Sequence, residues 1–204
     1  ALRDRDAAGQ PLDRTTLGAA MQESHYIASL LHNLALAARL DADGPELQRG
    51  PVELGALVER VAARHRPIAE QLGVALEHTV PDPPRWAEAD LTMLEQALGN
   101  LVYNAIRHNH RGGHVAIFVD DAGPGRFVAH VLDDGPGIAA EQLTAVRERG
   151  VRGSEARTRA PGGRGLGLDI AVRVCELHGY VLRMGPSEAG GLHVEVEGDR
   201  AAAP

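Results

Sequence analysis

Between residues 52 and 198 the chain intersperses helix-forming and strand-forming segments without the regular βαβ alternation of a doubly wound fold. That order restricts it to an α/β sandwich with a mixed sheet. Residues 52–72 read as an amphipathic helix with Leu54, Leu57, Val58 and Val61 inward and a kink expected at Pro67. Strands are expected at 74–80, 114–120 and 126–132, with a helix from about Leu91 to His108 between the first two. A helix over about 166–178 sets Leu166, Ile170, Val174 and Leu177 on one face, and Gly179 is placed to stop it. Leu192, Val194 and Val196 alternate with His193, Glu195 and Glu197, the period of a strand with one wet face.

Ahead of this block, residues 13–40 read as one long helix. Leu17, Ser24, Leu31 and Ala38 fall in one heptad row, Ala20, Ile27 and Leu34 in the next, and Met21, Ala28 and Ala35 widen the stripe. One helix cannot bury such a stripe by itself, so a second helix and a second copy of the chain are expected against it. Asp43-Gly44-Pro45 ends the helix. Two units follow from this reading: a helical one over 1–44 and an α/β one over 45–204.

Composition removes several function classes. All 21 basic residues are Arg, and with no Lys a P-loop or a protein-kinase site is excluded. Any phosphate must be held by Arg, backbone N–H groups or a metal. A net charge of -7 argues against a nucleic-acid surface. Cys175 is the single cysteine and reads as an inert core thiol, in keeping with a reducing, cytoplasmic setting. No apolar run of about 18 residues is present and residues 1–16 are largely polar, so neither a membrane span nor a leader is expected within this sequence, although an anchor upstream is compatible with it.

Four segments carry chemistry. On the helix 91–108, Asn100 and Asn104 share a face that Arg107 and His108 extend by a turn. Amide oxygens are reasonable Mg²⁺ ligands when phosphate and water complete the shell, although two Asn on a solvated face would look the same. Next, Asp133-Asp134-Gly135-Pro136-Gly137-Ile138 follows a strand directly. A carboxylate there can accept from an exocyclic amine, and glycines admit a flat ring; a plain turn is the alternative. Asp120-Asp121-Ala122-Gly123-Pro124-Gly125 has similar residues but hairpin spacing, and reads as a turn. Third comes a Gly- and Arg-rich stretch with Arg147, Arg149, Arg152, Arg157, Arg159 and Arg164, able to fold over a triphosphate or to stay a solvated loop. Last, Gly163-Arg164-Gly165-Leu166-Gly167-Leu168 opens a helix whose first N–H groups favour phosphate.

In this order, N-x-x-x-N-A, D-x-G-x-G, an Arg-rich loop and G-x-G-L-G-L resemble the N box, first glycine box, F box and second glycine box of the GHKL superfamily. It comprises sensor histidine kinases, the gyrase ATPase subunit, a class of heat-shock chaperones and the MutL mismatch-repair proteins. The resemblance implies a Bergerat-type two-layer α/β sandwich and covers roughly 52–198. Within the superfamily the chain looks like a two-component sensor histidine kinase, with Leu34-Ala35-Leu36-Ala37-Ala38-Arg39-Leu40-Asp41 similar to the end of the second helix of the dimerisation hairpin.

By that resemblance Asp133 binds the adenine amine of ATP, beside Gly135, Gly137 and Ile138. Asn104 ligates Mg²⁺ with help from Asn100, Arg107 reaches phosphate, His108 covers the nucleotide, and Arg152 contacts the γ-phosphate. Gly163, Arg164, Gly165, Leu166, Gly167 and Leu168 form the second glycine box. A homodimer and a response-regulator receiver domain are the implied partners. In the ATPase branches a Glu stands at the Asn100 position as general base, and Asn cannot take a proton, so transfer to a side chain is favoured over hydrolysis.

The match has gaps. No S-H-E-x-R-x-P-L segment is present; Ser24-His25-Tyr26 copies only its start, so no phosphoacceptor is assigned here and the acceptor His is expected upstream. Arg147 replaces the usual F-box Phe. His108-Asn109-His110 with His114 reads as a polar helix end and turn, since no Cys or acidic partner accompanies it. The rivals are a degenerate GHKL scaffold, which Arg147 leaves open, and a GHKL ATPase.

Overall fold

A computed structural model describes residues 27, 31, 33–40, 46–137 and 166–204. The stalk over 33–40 is helical (α1). There follow β1 (Gly50–Glu53), α2 (Leu54–Leu72), β2 (Ala75–Thr79), β3 (Trp86–Ala89), α3 (Leu91–Arg107), β4 (His114–Asp121), β5 (Arg126–Asp133), α4 (Leu166–His178), β6 (Val181–Pro186) and β7 (Leu192–Asp199). The main sheet has the order β2-β4-β5-β7-β6, with β2 and β4 parallel and every other pair antiparallel; β1 and β3 form a separate two-stranded ribbon. Helices α2, α3 and α4 cover one face of the sheet. This is the expected α/β sandwich with a mixed sheet.

Strand periodicity sets the two faces. Val115, Ile117 and Val119 of β4, Phe127, Ala129 and Val131 of β5, and Val194 and Val196 of β7 are buried toward the helices. Phe118, His130, His193, Glu195 and Glu197 take the alternate positions and line the other face. The core is aliphatic. Leu54, Leu57, Val58 and Val61 of α2 meet Met93, Leu94, Leu98 and Ile106 of α3 and Ile170 and Val174 of α4.

Local chemistry fixes the helix ends. α2 starts at Leu54 rather than 52, because Glu53 accepts from the N–H groups of Gly55 and Ala56 while Val52 belongs to β1. It continues unbroken through Pro67, which lies on its exposed side. Asp90 caps α3 by accepting from Met93 N–H at 3.0 Å. The Asp90 N–H in turn donates to His178 Nε2 at 2.9 Å, tying the end of α4 to the start of α3. α4 stops at Gly179 as expected, with the Gly179 and Tyr180 N–H groups bonding back to Glu176 and Cys175 carbonyls. Cys175 is buried, and burial pushes its thiol up to about 12, so it stays an inert core thiol. The turn at 121–125 joins β4 to β5 as a hairpin, with Asp121 bound by Arg85 and Arg200.

Two features of the stalk differ from the heptad reading. The face of α1 that joins the core carries Leu36 and Leu40 and the buried Asn33, none of which belonged to the expected rows. The expected rows, represented by Ile27, Leu31, Leu34 and Ala38, are exposed. Ala35 of the stripe is exposed as well; its remaining residues, and the Asp43-Gly44-Pro45 stop, lie outside the described residues.

Candidate functional site

The C-terminal end of α3, the C-terminal end of β5 and the N-terminal turn of α4 converge on one corner of the sandwich. Asp133 is the last residue of β5 and faces the helical side with Val131. Its Oδ1 accepts from the Gly135 N–H at 2.9 Å and from the Leu192 N–H at 3.1 Å. Burial raises the Asp133 pKa and these two backbone bonds offset part of that rise. The pair of donors leans on Gly191: a Cβ there would stand 2.3 Å from the Asp133 carbonyl oxygen and from Oδ1, so only glycine lets β7 begin so close to the carboxylate. Gly137 lies beside the same segment, with a Cβ position 3.4 Å from the Gly190 and Gly191 carbonyls, and its φ of 67° favours glycine.

Asp134 has a different task. Its Oδ1 accepts from the His114 N–H at 2.6 Å and from Asn109 Nδ2 at 3.0 Å, and these bonds hold its carboxyl below the usual range. Asn109 also donates to the His114 carbonyl, and its Oδ1 receives the His110 N–H. The His108–His114 segment is thus the polar helix end and turn that the sequence suggested. It also pins the end of α3 against β5: a Cβ at Gly135 would meet the His108 carbonyl at 3.4 Å and Asn109 Cα at 3.5 Å.

Asn100 and Asn104 lie on α3, Asn100 buried and Asn104 half-buried. Gly167, in the first turn of α4, sits so close that a Cβ would come within 3.2 Å of Asn100 Cγ. This contact brings the first and fourth sequence segments together. Leu168 is half-buried against the core. Asn100 Nδ2 donates to Asn33 Oδ1 of the stalk at 2.9 Å, and Gln96 Nε2 donates to the same oxygen at 3.0 Å. Arg107 and His108 are exposed at the end of α3, and an Arg107 amino group reaches the Tyr103 hydroxyl at 3.5 Å. Ile138, Arg147, Arg152, Gly163, Arg164, Gly165 and the Leu166 side chain lie outside the described residues.

The structure therefore unites Asn100, Asn104, Asp133, Gly135, Gly137 and Gly167 through direct contacts and shared elements, and adds three residues the sequence reading passed over. Gly191 and Leu192 hold the Asp133 carboxylate; the Gly190-Gly191 pair before an alternating strand was the available signal. Asn33 engages Asn100 across 67 positions, and nothing local in the sequence announces it.

Comparison with known proteins shows the family and the fold. The family described as "Histidine kinase-, DNA gyrase B-, and HSP90-like ATPase" matches residues 89–201, more than half of the chain. Among curated proteins, the sensor protein SrrB of Staphylococcus aureus is 31% identical over 166 residues, which is 81% of this chain and 28% of that protein. The chain thus spans little more than a quarter of the length of the curated relatives it matches. A structure of full-length ShkA in complex with AMPPNP superposes with a TM-score of 0.72 at 28% identity, covering 96% of this chain and 41% of that one. The mycobacterial sensor histidine kinase MprB gives 0.62 at 26% identity, covering 76% of this chain and 99% of that one. The chain belongs to the histidine kinase-, DNA gyrase B- and HSP90-like ATPase family, as an ATP-binding domain of the sensor histidine kinase type.

Proposed function

We propose that this chain binds Mg-ATP at the corner between α3, β5 and α4 and transfers the γ-phosphate to a histidine outside this chain, for relay to a response-regulator aspartate. The observation that carries the reading is the Asp133 carboxylate. Both backbone donors fall on Oδ1, which orients the group and leaves Oδ2 to accept the exocyclic amine of adenine. A half-buried carboxylate with a raised pKa is held at a cost that an amine donor would repay. Gly135 and Gly137 then allow the ring a close approach.

The rest of the corner suits the phosphates. Asn104 and Asn100 would hold Mg²⁺ through amide oxygens, and the ion would neutralise phosphate charge. Asn100 can serve through Oδ1 while its Nδ2 stays bonded to Asn33. Arg107 is exposed at the end of α3 and would reach phosphate, and His108 beside it would cover the nucleotide. The first turn of α4 supplies N–H groups from Gly167 and Leu168, with Gly163, Arg164, Gly165 and Leu166 leading into it; Arg152 would meet the γ-phosphate and Ile138 the base. Asn100 and Asn104 are amides and cannot take a proton, and on this reading Asp133 serves the adenine amine, which favours transfer over hydrolysis.

On this reading residues 1–44 belong to a dimerisation hairpin and 45–204 to the catalytic domain. The exposed apolar positions Ile27, Leu31 and Leu34 support a homodimer through that hairpin. Asp133→Asn tests the nucleotide site. The amide keeps an oxygen for Gly135 and Leu192 but loses the charge-assisted bond, so affinity for an ATP analogue should fall roughly 10–100-fold, or about 1.5–3 kcal/mol. Unchanged affinity in a folded variant would remove Asp133 from the site.

A further inference from the structure

The face of the sheet away from the helices carries a second constellation that the nucleotide reading does not use. His130 of β5 stands directly opposite Glu195 of β7, and His193 lies two positions from Glu195 on the same face. Their ligating atoms all lie within 4.8 Å of one another. His130 Nδ1 is 2.8 Å from His193 Nε2 and 3.8 Å from Glu195 Oε1, and His193 Nε2 is 4.0 Å from that same oxygen. We propose that His130, His193 and Glu195 form a zinc site bridging the two central strands β5 and β7.

The distances carry the argument. Zinc binds imidazole nitrogen and carboxylate oxygen at about 2.0–2.2 Å with tetrahedral angles, so two of its ligand atoms sit about 3.4 Å apart. The three separations bracket that value. Metal binding would spread the imidazoles by about half an ångström and draw the carboxylate in by a similar amount. Two imidazoles and one carboxylate suit a borderline ion and are a poor set for Mg²⁺ or Ca²⁺, which take oxygen. The site is thus chemically distinct from the phosphate corner.

The surroundings hold the ligands in place. Phe118 of β4 stacks on the His130 ring at a centroid distance of 4.7 Å and 28°, fixing its plane. The His130 side chain is 12% exposed, while His193 and Glu195 are 28% and 34% exposed, which leaves an open side for water as the fourth ligand. The next outward carboxylate on β7, Glu197, is engaged by Arg126 and Arg183, whereas Glu195 faces the two imidazoles. Without metal the same residues make a hydrogen-bonded imidazole pair, and that is the rival the experiment must separate.

The test is calorimetric titration of the chelator-treated chain with Zn²⁺ alone, repeated for His193→Gln, Glu195→Gln and the control His110→Gln. The expected result is one saturable site per chain of micromolar affinity or tighter. It should be unchanged in His110→Gln and weakened in His193→Gln beyond the roughly 10–100-fold that loss of an outer-shell partner costs. Glu195→Gln should weaken it as well. The mutated side chains are partly exposed, and circular dichroism of the metal-free variants confirms that they fold. Co²⁺ should give the visible spectrum of a tetrahedral site. Absence of saturable binding, binding that survives both variants, or binding lost in His110→Gln would each overturn the proposal.

Discussion

Single groups in this molecule are held by burial against their preferred protonation. Asp133 is pushed up by burial and His178 is pushed down by it. The His178 ring donates through Nδ1 to the Val174 carbonyl at 2.8 Å and accepts the Asp90 N–H at Nε2, an arrangement only the neutral Nδ1-protonated ring can make. Its folded-state pKa lies below the unfolded value near 6.5, so the native state binds fewer protons. The stability it contributes is complete above about pH 6.5 and is lost as pH falls from there through the folded pKa. Denaturant unfolding at pH 7.5 and pH 5.5 should show this loss in the wild type. In His178→Gln the pH dependence should be shallower, with stability at pH 7.5 lower by about 1–3 kcal/mol from the disturbed buried bonds. Equal pH slopes in the two proteins would contradict the assignment. Asp133→Asn should behave in the opposite way. Removing a buried charge while keeping the acceptor for Gly135 and Leu192 should leave the melting temperature unchanged or raised while nucleotide affinity drops.

Among the elements, those with strong internal periodicity were readable and those stabilised only by partners were not. α3 and α4, β4, β5 and β7 lie within a residue or two of the expected bounds, because each has either a clean apolar stripe or strict alternation. β1 (GPVE) and β3 (WAEA) escaped, being four residues each and lacking a β-branched run; they exist because Gly50–Glu53 pairs with Trp86–Ala89 far along the chain. β6 was also missed, since it ends in Gly185-Pro186 and sits at the sheet edge, where such residues are tolerated. The site follows the same rule. Asn100, Asn104, Asp133 and the glycines lie in ordered local motifs and were legible, whereas Asn33 and the Leu192 N–H reach the site through the tertiary fold. The cross-strand group on β5 and β7 was hidden because register, not sequence spacing, joins His130 to Glu195.

The stalk helix α1 is an element with two faces. Leu36, Leu40 and Asn33 pack on the domain, and Ile27, Leu31 and Leu34 point outward at 50%, 62% and 62% exposure. An outward stripe of this kind is costly unless a partner covers it. Leu31→Glu with Leu34→Glu should therefore leave the monomer's stability within about 0.5 kcal/mol of wild type, as for surface substitutions. The same double substitution should shift sedimentation equilibrium toward monomer. A dimer of unchanged affinity would show that this stripe is not the dimer surface.

At the scale of the whole molecule, a mixed sheet covered on one face by three helices delivers two helix ends and a strand end to one corner. That corner holds a carboxylate, two amides and a helix N-terminus, the groups through which we propose an adenine base, a metal and a polyphosphate are bound. The opposite face of the sheet is polar and carries its own cluster, so the two faces of β5 have separate chemistry. Among the described residues no helix is long and apolar enough to cross a membrane.

The most direct test of the central claim is calorimetric titration of this chain with a non-hydrolysable ATP analogue, in the presence and absence of Mg²⁺. The account predicts saturable binding at one site per chain, strengthened by Mg²⁺. No binding at millimolar analogue would contradict it, and would leave the fold as a scaffold that has kept the shape of a nucleotide site without its function.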